Sequence, residues 1–203
     1  MNDFAHFGAE PGDDLRHFDV PRRAEPGEWP MLEAALAVVN RDLSATLPGR
    51  DALVLVVAPP GRPLPSGAID TPQVYVAMSD GRWHGDQVNA VDPEDGDPPE
   101  PDDAGTALTL VADAAQSTVM ELLSQVWPVC PEHRIGTHPR PAGTTADWHP
   151  GDTSTDGPPV WWCRGSLDGP GHDVCTVGEL AATLPGKQRR ALRRTERGRA
   201  GRR

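Results

Sequence analysis

A chain of 203 residues has room for one ordinary domain with a small module attached. Leu, Ile, Val and Phe together make up about a fifth of it and the net charge is −11, a composition at the border of intrinsic disorder. No apolar run approaches the ~18 residues of a membrane span, and the N-terminus lacks the basic start and apolar stretch of a signal peptide. The composition therefore predicts a cytoplasmic protein without membrane contact, folded in part, with disordered termini.

The first folded unit is predicted at residues 29–127, after an acidic arm without periodicity at 1–28. Pro30 suits the first turn of a helix because its missing N–H would be unpaired there, and Pro48–Gly49 ends the pattern. Between them, apolar residues recur at helical spacing and predict one buried face. That face comprises Leu32, Ala35, Leu36, Val39, Leu43 and Leu47.

Strands are predicted next. The aliphatic run Ala52–Ala58 and the run Gln73–Ser79 are typical of strands. Asp80–Gly81 is a strong two-residue hairpin turn and predicts a third strand over Arg82–Val88. A further strand is predicted over Thr106–Val111.

An acidic segment precedes that last strand. Residues 92–103 contain seven carboxylates and four prolines, a composition that predicts a solvated loop. Ala115, Val119, Leu122, Leu123 and Val126 then form a second amphipathic stripe, which ends at Trp127–Pro128. The order of helix, strands and helix predicts a small α+β layer domain.

The third predicted unit spans residues 128–184. It begins with a turn, continues through a linker-like stretch between His138 and Val160, and ends in two short strands, Val160–Cys163 and His172–Val177. A basic tail without regular structure is expected over 185–203. From residue 187 onward this tail carries nine basic residues and one acidic residue, or +8, against −19 for the rest of the chain.

All three cysteines lie in the third unit, beside histidines. Cys130 and His133 are separated by two residues, so one tight turn can offer both side chains to one ion. Cys163 ends one strand and His172 begins the next, so the two side chains converge if the strands pair. Two sulfurs and two imidazole nitrogens suit tetrahedral zinc, which predicts a zinc ribbon-like hairpin module with a structural ion.

Cys175 and His138 compete with His172 for the fourth ligand position. The ion would order a segment too rich in Gly and Pro to order itself, with Trp127, Trp161 and Trp162 packed around it. The competing interpretation is that the cysteines are simply small buried residues and the histidines exposed polar ones.

The stretches "WPVCPEH", "WWCRG", "GHDV" and "VGEL" resemble the C-terminal part of a family of short proteins from high-GC bacteria with no assigned function. The resemblance covers Trp127–Leu180. It implies the same four ligands, Cys130, His133, Cys163 and His172, and favours His172 over Cys175. The long linker and Arg134, which stands where the family pattern has glycine, depart from that pattern.

Catalysis is not expected. No phosphate-binding glycine motif is present, and the nearest likeness to a zinc deaminase, "WHGD" with "PVCPEH", lacks the required glutamate. Cys130 follows a predicted helix, where the helix dipole opposes a reactive thiolate. The expected function is zinc-dependent binding of a protein partner. Two alternatives remain: sequence-nonspecific association with nucleic acid through Lys187–Arg203, and a zinc-dependent hydrolase or deaminase.

Overall fold

The structure is a computed structural model that describes residues 20–59, 72–89, 100–101, 103–144, 157–166 and 169–200. Over these ranges the chain is α+β, with four helices and two three-stranded antiparallel sheets. The helices are α1 (Pro30–Thr46), α2 (Ala104–Leu123), α3 (Leu180–Thr183) and α4 (Gly186–Ala200). The strands are β1 (Arg22–Arg23), β2 (Val54–Ala58), β3 (Gln73–Ala77), β4 (His138–Pro141), β5 (Pro159–Cys163) and β6 (His172–Thr176).

Helix α1 confirms the predicted amphipathic helix. Pro30 lies in its first turn, and the residues at the predicted spacing are buried, except that Leu47 lies just past its end and is partly exposed. The backbone amides of Met31 and Leu32 donate to the carboxylate of Glu100, at 3.4 and 3.2 Å, so part of the predicted acidic loop caps this helix. The rest of that loop, apart from residues 101 and 103, lies outside the described residues.

The first sheet has the order β1–β2–β3. Every residue of the central strand β2 is buried, as its continuous aliphatic sequence predicts, and Leu55 lies opposite Val76 in β3. Strand β1 comes from the segment predicted to be part of a disordered arm, and Arg22 pairs in register with Val57. Residues 1–19 of that arm lie outside the described residues.

The predicted third strand at residues 82–88 does not form. The turn is present, since the Met78 amide donates to the Arg82 carbonyl, but residues 82–88 form just one bridge, between Ala77 and Trp83. The Val88 amide makes one further hydrogen bond to β3, to the Val74 carbonyl at 2.8 Å. Gly85, at φ +100°, then bends the chain towards α2. The His84 amide donates there to the Thr118 hydroxyl at 3.2 Å.

The prediction of a strand over residues 106–111 is wrong, because this segment lies in the first half of α2. The side chain of Asp103 accepts a hydrogen bond from the Thr106 amide at 2.6 Å and begins the helix. Ala107, Val111 and Ala115 then continue at helical spacing and are fully buried. Local β-propensity in this segment is overridden by the helix cap and by the buried helical face.

The second sheet has the order β4–β5–β6. Strand β4 corrects the linker predicted after His138: its residues pair antiparallel with β5, Pro139 opposite Trp161. Proline is tolerated in β4 because the strand lies at the sheet edge, where an N–H is not required on the outer side. Residues 145–156 of the predicted linker lie outside the described residues.

A single hydrophobic core cluster includes side chains from both of the predicted units. Leu32 and Val39 of α1 belong to it with Val76 of the first sheet, and so do Trp161 of the second sheet and Leu180 of α3.

The basic tail also differs from expectation, because residues 186–200 form helix α4. Residues 201–203 lie outside the described part of the chain.

Candidate metal centre

The first half of the candidate centre is a tight turn that follows the end of α2. Val129 and Gly136 form a β-bridge, the Cys130 amide donates to the Ile135 carbonyl at 2.9 Å, and the Arg134 amide donates to the Cys130 carbonyl at 3.0 Å. Arg134 occupies the left-handed region, at φ 59°. This geometry places the Cys130 sulfur 3.7 Å from Nδ1 of His133.

Helix α2 holds this turn at both ends through Gln116. The Gln116 side-chain amide donates to the Trp127 carbonyl at 3.0 Å and also, over a shorter distance, to the Thr137 carbonyl. Gln116 is buried, so both acceptors are satisfied without water. Gln116 therefore positions the turn, a role that its polar side chain within an apolar helical stripe could have suggested.

The second half of the centre is the β5–β6 hairpin. Cys163 and His172 are direct partners in its register, at the end nearest the connecting loop, as expected if the strands pair. Gly171 precedes His172 and lies so close to the Trp162 ring that a Cβ there would collide with the ring. The Trp162 ring is covered by the Arg140 guanidinium, 3.5 Å from the ring centroid.

The four side chains meet in space. One ligand atom from each of Cys130, His133, Cys163 and His172 can be chosen so that all four lie within 4.8 Å of one another. Cys163 Sγ is 3.5 Å from His133 Nδ1, and Cys130 Sγ is 3.7 Å from His172 Nε2. Zinc bonds of 2.3 Å to sulfur and 2.0–2.1 Å to nitrogen, at a tetrahedral angle, put sulfur and nitrogen about 3.6 Å apart. These two sulfur–nitrogen separations match those of a tetrahedral site.

Backbone amides already face both sulfurs. The His133 amide donates to the Cys130 sulfur at 3.5 Å, and the Gly165 amide donates to the Cys163 sulfur at 3.4 Å. Such N–H···S contacts stabilise the thiolate form that binds metal. Burial acts in the opposite direction and raises the pKa of the Cys163 thiol. A cation beside the Cys163 sulfur would oppose this effect of burial and favour its thiolate form.

The two competing candidates for the fourth position lie elsewhere. Cys175 is opposite Trp161 in the sheet register and packs against the hydrophobic core, where burial raises the pKa of its thiol to about 12. His138 is exposed on β4, opposite Trp162. Within the described ranges, the group of side chains able to hold a metal ion contains His172 and neither of these residues.

The tryptophans connect the centre to the rest of the fold. Trp127, at the start of the turn, and Trp161, two residues before Cys163, are buried and pack edge to face with ring centroids 5.5 Å apart. The Trp161 indole N–H donates to the carboxylate of Asp42 at 2.7 Å. Trp162 lies instead beneath Arg140 and is partly exposed.

Asp42 has a structural role that the sequence pattern does not reveal. It is fully buried in α1, and besides Trp161 it accepts the amides of Gly178 at 2.6 Å and Leu180 at 2.7 Å. Burial raises the pKa of this carboxyl above its ordinary value, against the effect of the three donors. Asp42 thus joins α1 to the second sheet and to α3.

Comparison of the chain with protein-family models, curated proteins and solved structures found no match in any of the three. In the part of the chain that the structure describes, no helix combines the length and the apolar character needed to cross a bilayer.

Proposed function

We propose that this chain is a zinc-binding protein in which one ion, held by Cys130, His133, Cys163 and His172, has a structural role. The observation that carries the proposal is the meeting of two sulfurs and two imidazole nitrogens at separations that suit tetrahedral coordination. Zinc has no geometric demand of its own and prefers this mixture of thiolate and imidazole ligands. The resemblance to the W-P-x-C-P-x-H family remains a prediction and supports the same four residues.

A structural role is favoured because four protein ligands complete a tetrahedral shell and leave no open position for a water molecule. The ion would join the Cys130 turn to the β5–β6 hairpin, two segments that are distant in sequence, and the proposed module is zinc ribbon-like in this sense. Binding energies of about 10–16 kcal/mol in small zinc peptides equal or exceed the stability of a typical domain. Loss of the ion should therefore loosen this half of the fold.

The proposed activity is binding of a protein partner in the cytoplasm. Two apolar side chains remain exposed on either side of the turn's first proline, Val126 at 49% and Val129 at 41%. We place the partner contact at these two side chains because they lie on a turn that the proposed ion would hold rigid. A reducing compartment fits the proposal because thiolate ligands require reduced cysteines.

Metal analysis of the purified full-length protein tests the proposal. We expect one zinc per chain in the unmodified protein, and none in Cys130→Ser or in Cys163→Ser. Cys175→Ser is the matched control, because it removes the third thiol without removing a proposed ligand, and it should retain the zinc.

Two results would overturn the proposal. One is a protein that contains no zinc after purification and takes up none when zinc is supplied to the reduced chain. The other is zinc loss in Cys175→Ser to the same degree as in the two ligand variants. A different divalent metal in equal stoichiometry would overturn the identity of the ion but not the ligand set.

A further inference from the structure

Helix α4 carries the densest charge of the chain. It extends over Gly186–Ala200, and its described basic side chains, Lys187, Arg189, Arg190 and Arg194, are all exposed. None of these four forms an ion pair with another described residue. A strong positive charge is thus presented to solvent by a protein that is otherwise acidic.

The helical conformation arranges this charge along one line. Residues 187, 190 and 194 follow one another at spacings of three and four, so they lie on the same face, one turn apart. Residue 197, also an arginine, follows at the next spacing of three, whereas Arg189 lies on another face of the helix. We call Lys187, Arg190 and Arg194 the basic stripe.

The basic stripe is unfavourable for an isolated helix. Like charges three and four residues apart repel each other, and a helix of 15 residues is only marginally stable in water without packing. An external array of negative charges would remove this repulsion and stabilise the helix.

We infer that α4 binds the phosphate backbone of nucleic acid without reading its sequence. Eight of the nine basic residues after position 186 are arginines, whose guanidinium forks match phosphate oxygens in pairs. Successive cations one helical turn, about 5.4 Å, apart can follow a phosphate chain. The tail contains no aromatic residue that could stack on bases, so recognition stays with the backbone.

Phosphates suit this helix better than the carboxylates of an acidic protein. Protein interfaces have an apolar centre. The basic stripe contains no apolar residue, and Leu192 is the one large aliphatic residue of α4. Counterion release from nucleic acid needs only the cations. The −19 charge of the remaining chain repels a nucleic acid, so contact should be confined to α4 and the affinity should be weak.

Fluorescence anisotropy with a labelled 20-base-pair DNA of mixed sequence tests the inference on the full-length protein at 50 and 200 mM salt. A contact with three or four phosphates predicts that log K falls with log salt with a slope of about −2.7 to −3.6. The triple variant Lys187→Gln, Arg190→Gln, Arg194→Gln should reduce the size of that slope by about 2 to 3 and weaken binding at least about tenfold at 50 mM salt.

The matched control changes the same amount of charge away from the stripe, as Arg199→Gln, Arg202→Gln, Arg203→Gln, and should weaken binding about threefold or less. Equal losses in the two triple variants would overturn the stripe, because an unstructured charged tail behaves in that way. Absence of binding at 50 mM salt, or equal affinity for poly-glutamate of the same length, would overturn nucleic acid as the partner.

Discussion

The substitution Asp42→Asn tests how α1 is joined to the second sheet and to α3. Two donors, the Trp161 indole and the Gly178 amide, converge on Oδ2, and the Leu180 amide donates to Oδ1. Asparagine keeps one oxygen of the pair. If that oxygen replaces Oδ2, the new NH2 group faces the Leu180 amide, so two donors meet where a donor and an acceptor met before.

The expected loss of stability follows from the one hydrogen bond that is lost, the bond donated by the Leu180 amide. A buried hydrogen bond to a charged group contributes about 1.5–3 kcal/mol, and an unsatisfied buried donor costs about 1–3 kcal/mol. Because the site is closed to solvent, no water can replace the lost acceptor. We expect the free energy of unfolding to fall by about 2–4 kcal/mol, a large share of the roughly 5–15 kcal/mol of a typical domain.

Urea unfolding followed by tryptophan fluorescence measures this loss, because Trp161 reports on the site directly. With a slope of about 2 kcal/mol per molar urea, the midpoint should fall by about 1–2 M. Asp80→Asn is the control: it makes the same chemical change at an exposed carboxylate that pairs with Arg82, and its midpoint should not move. A midpoint shift in Asp42→Asn no larger than that of the control would refute the role assigned to Asp42.

Two further predictions concern backbone strain and pH. Gly178→Ala should lower the free energy of unfolding by about 2 kcal/mol or more, because a Cβ at φ +98° would lie 2.6 Å from a valine of α1. Gly143→Ala is the control: this glycine has φ +77° but lies in open space, so its substitution should cost less in the same urea titration. The Arg22 guanidinium lowers the pKa of Glu28 from 4.5 to about 2, so the stability contributed by this carboxylate is present above pH 4.5 and is lost as pH falls towards 2. Glu28→Gln should reduce the dependence of the melting temperature on pH between about 2 and 4.5. An unchanged pH dependence in this variant, or an equal reduction in Glu25→Gln, would contradict the role given to the Glu28 carboxylate.

Elements with strong local periodicity could be predicted from the sequence. Helix α1 has an apolar face and a proline in its first turn, and β2 and β5 are short apolar runs, so local pattern and tertiary burial agree. The segment 106–111 was predicted wrongly because its residues suit a strand, while the Asp103 cap and the shared core make it helical. Strand β4 could not be predicted because its two prolines disfavour a strand locally, and only pairing with β5 at the sheet edge accommodates them.

The sequence by itself determined which residue types were available for a metal centre and that Cys130 and His133 must share one turn, because a spacing of two residues leaves the chain little choice. Only the tertiary structure decided the fourth member of the cluster. The register of β5 and β6 sets His172 opposite Cys163 and turns Cys175 into the core, and spacing along the chain carries no information on register. The burial of Asp42 likewise emerges only when distant segments pack together, and so do the two carbonyl groups to which the Gln116 side chain donates.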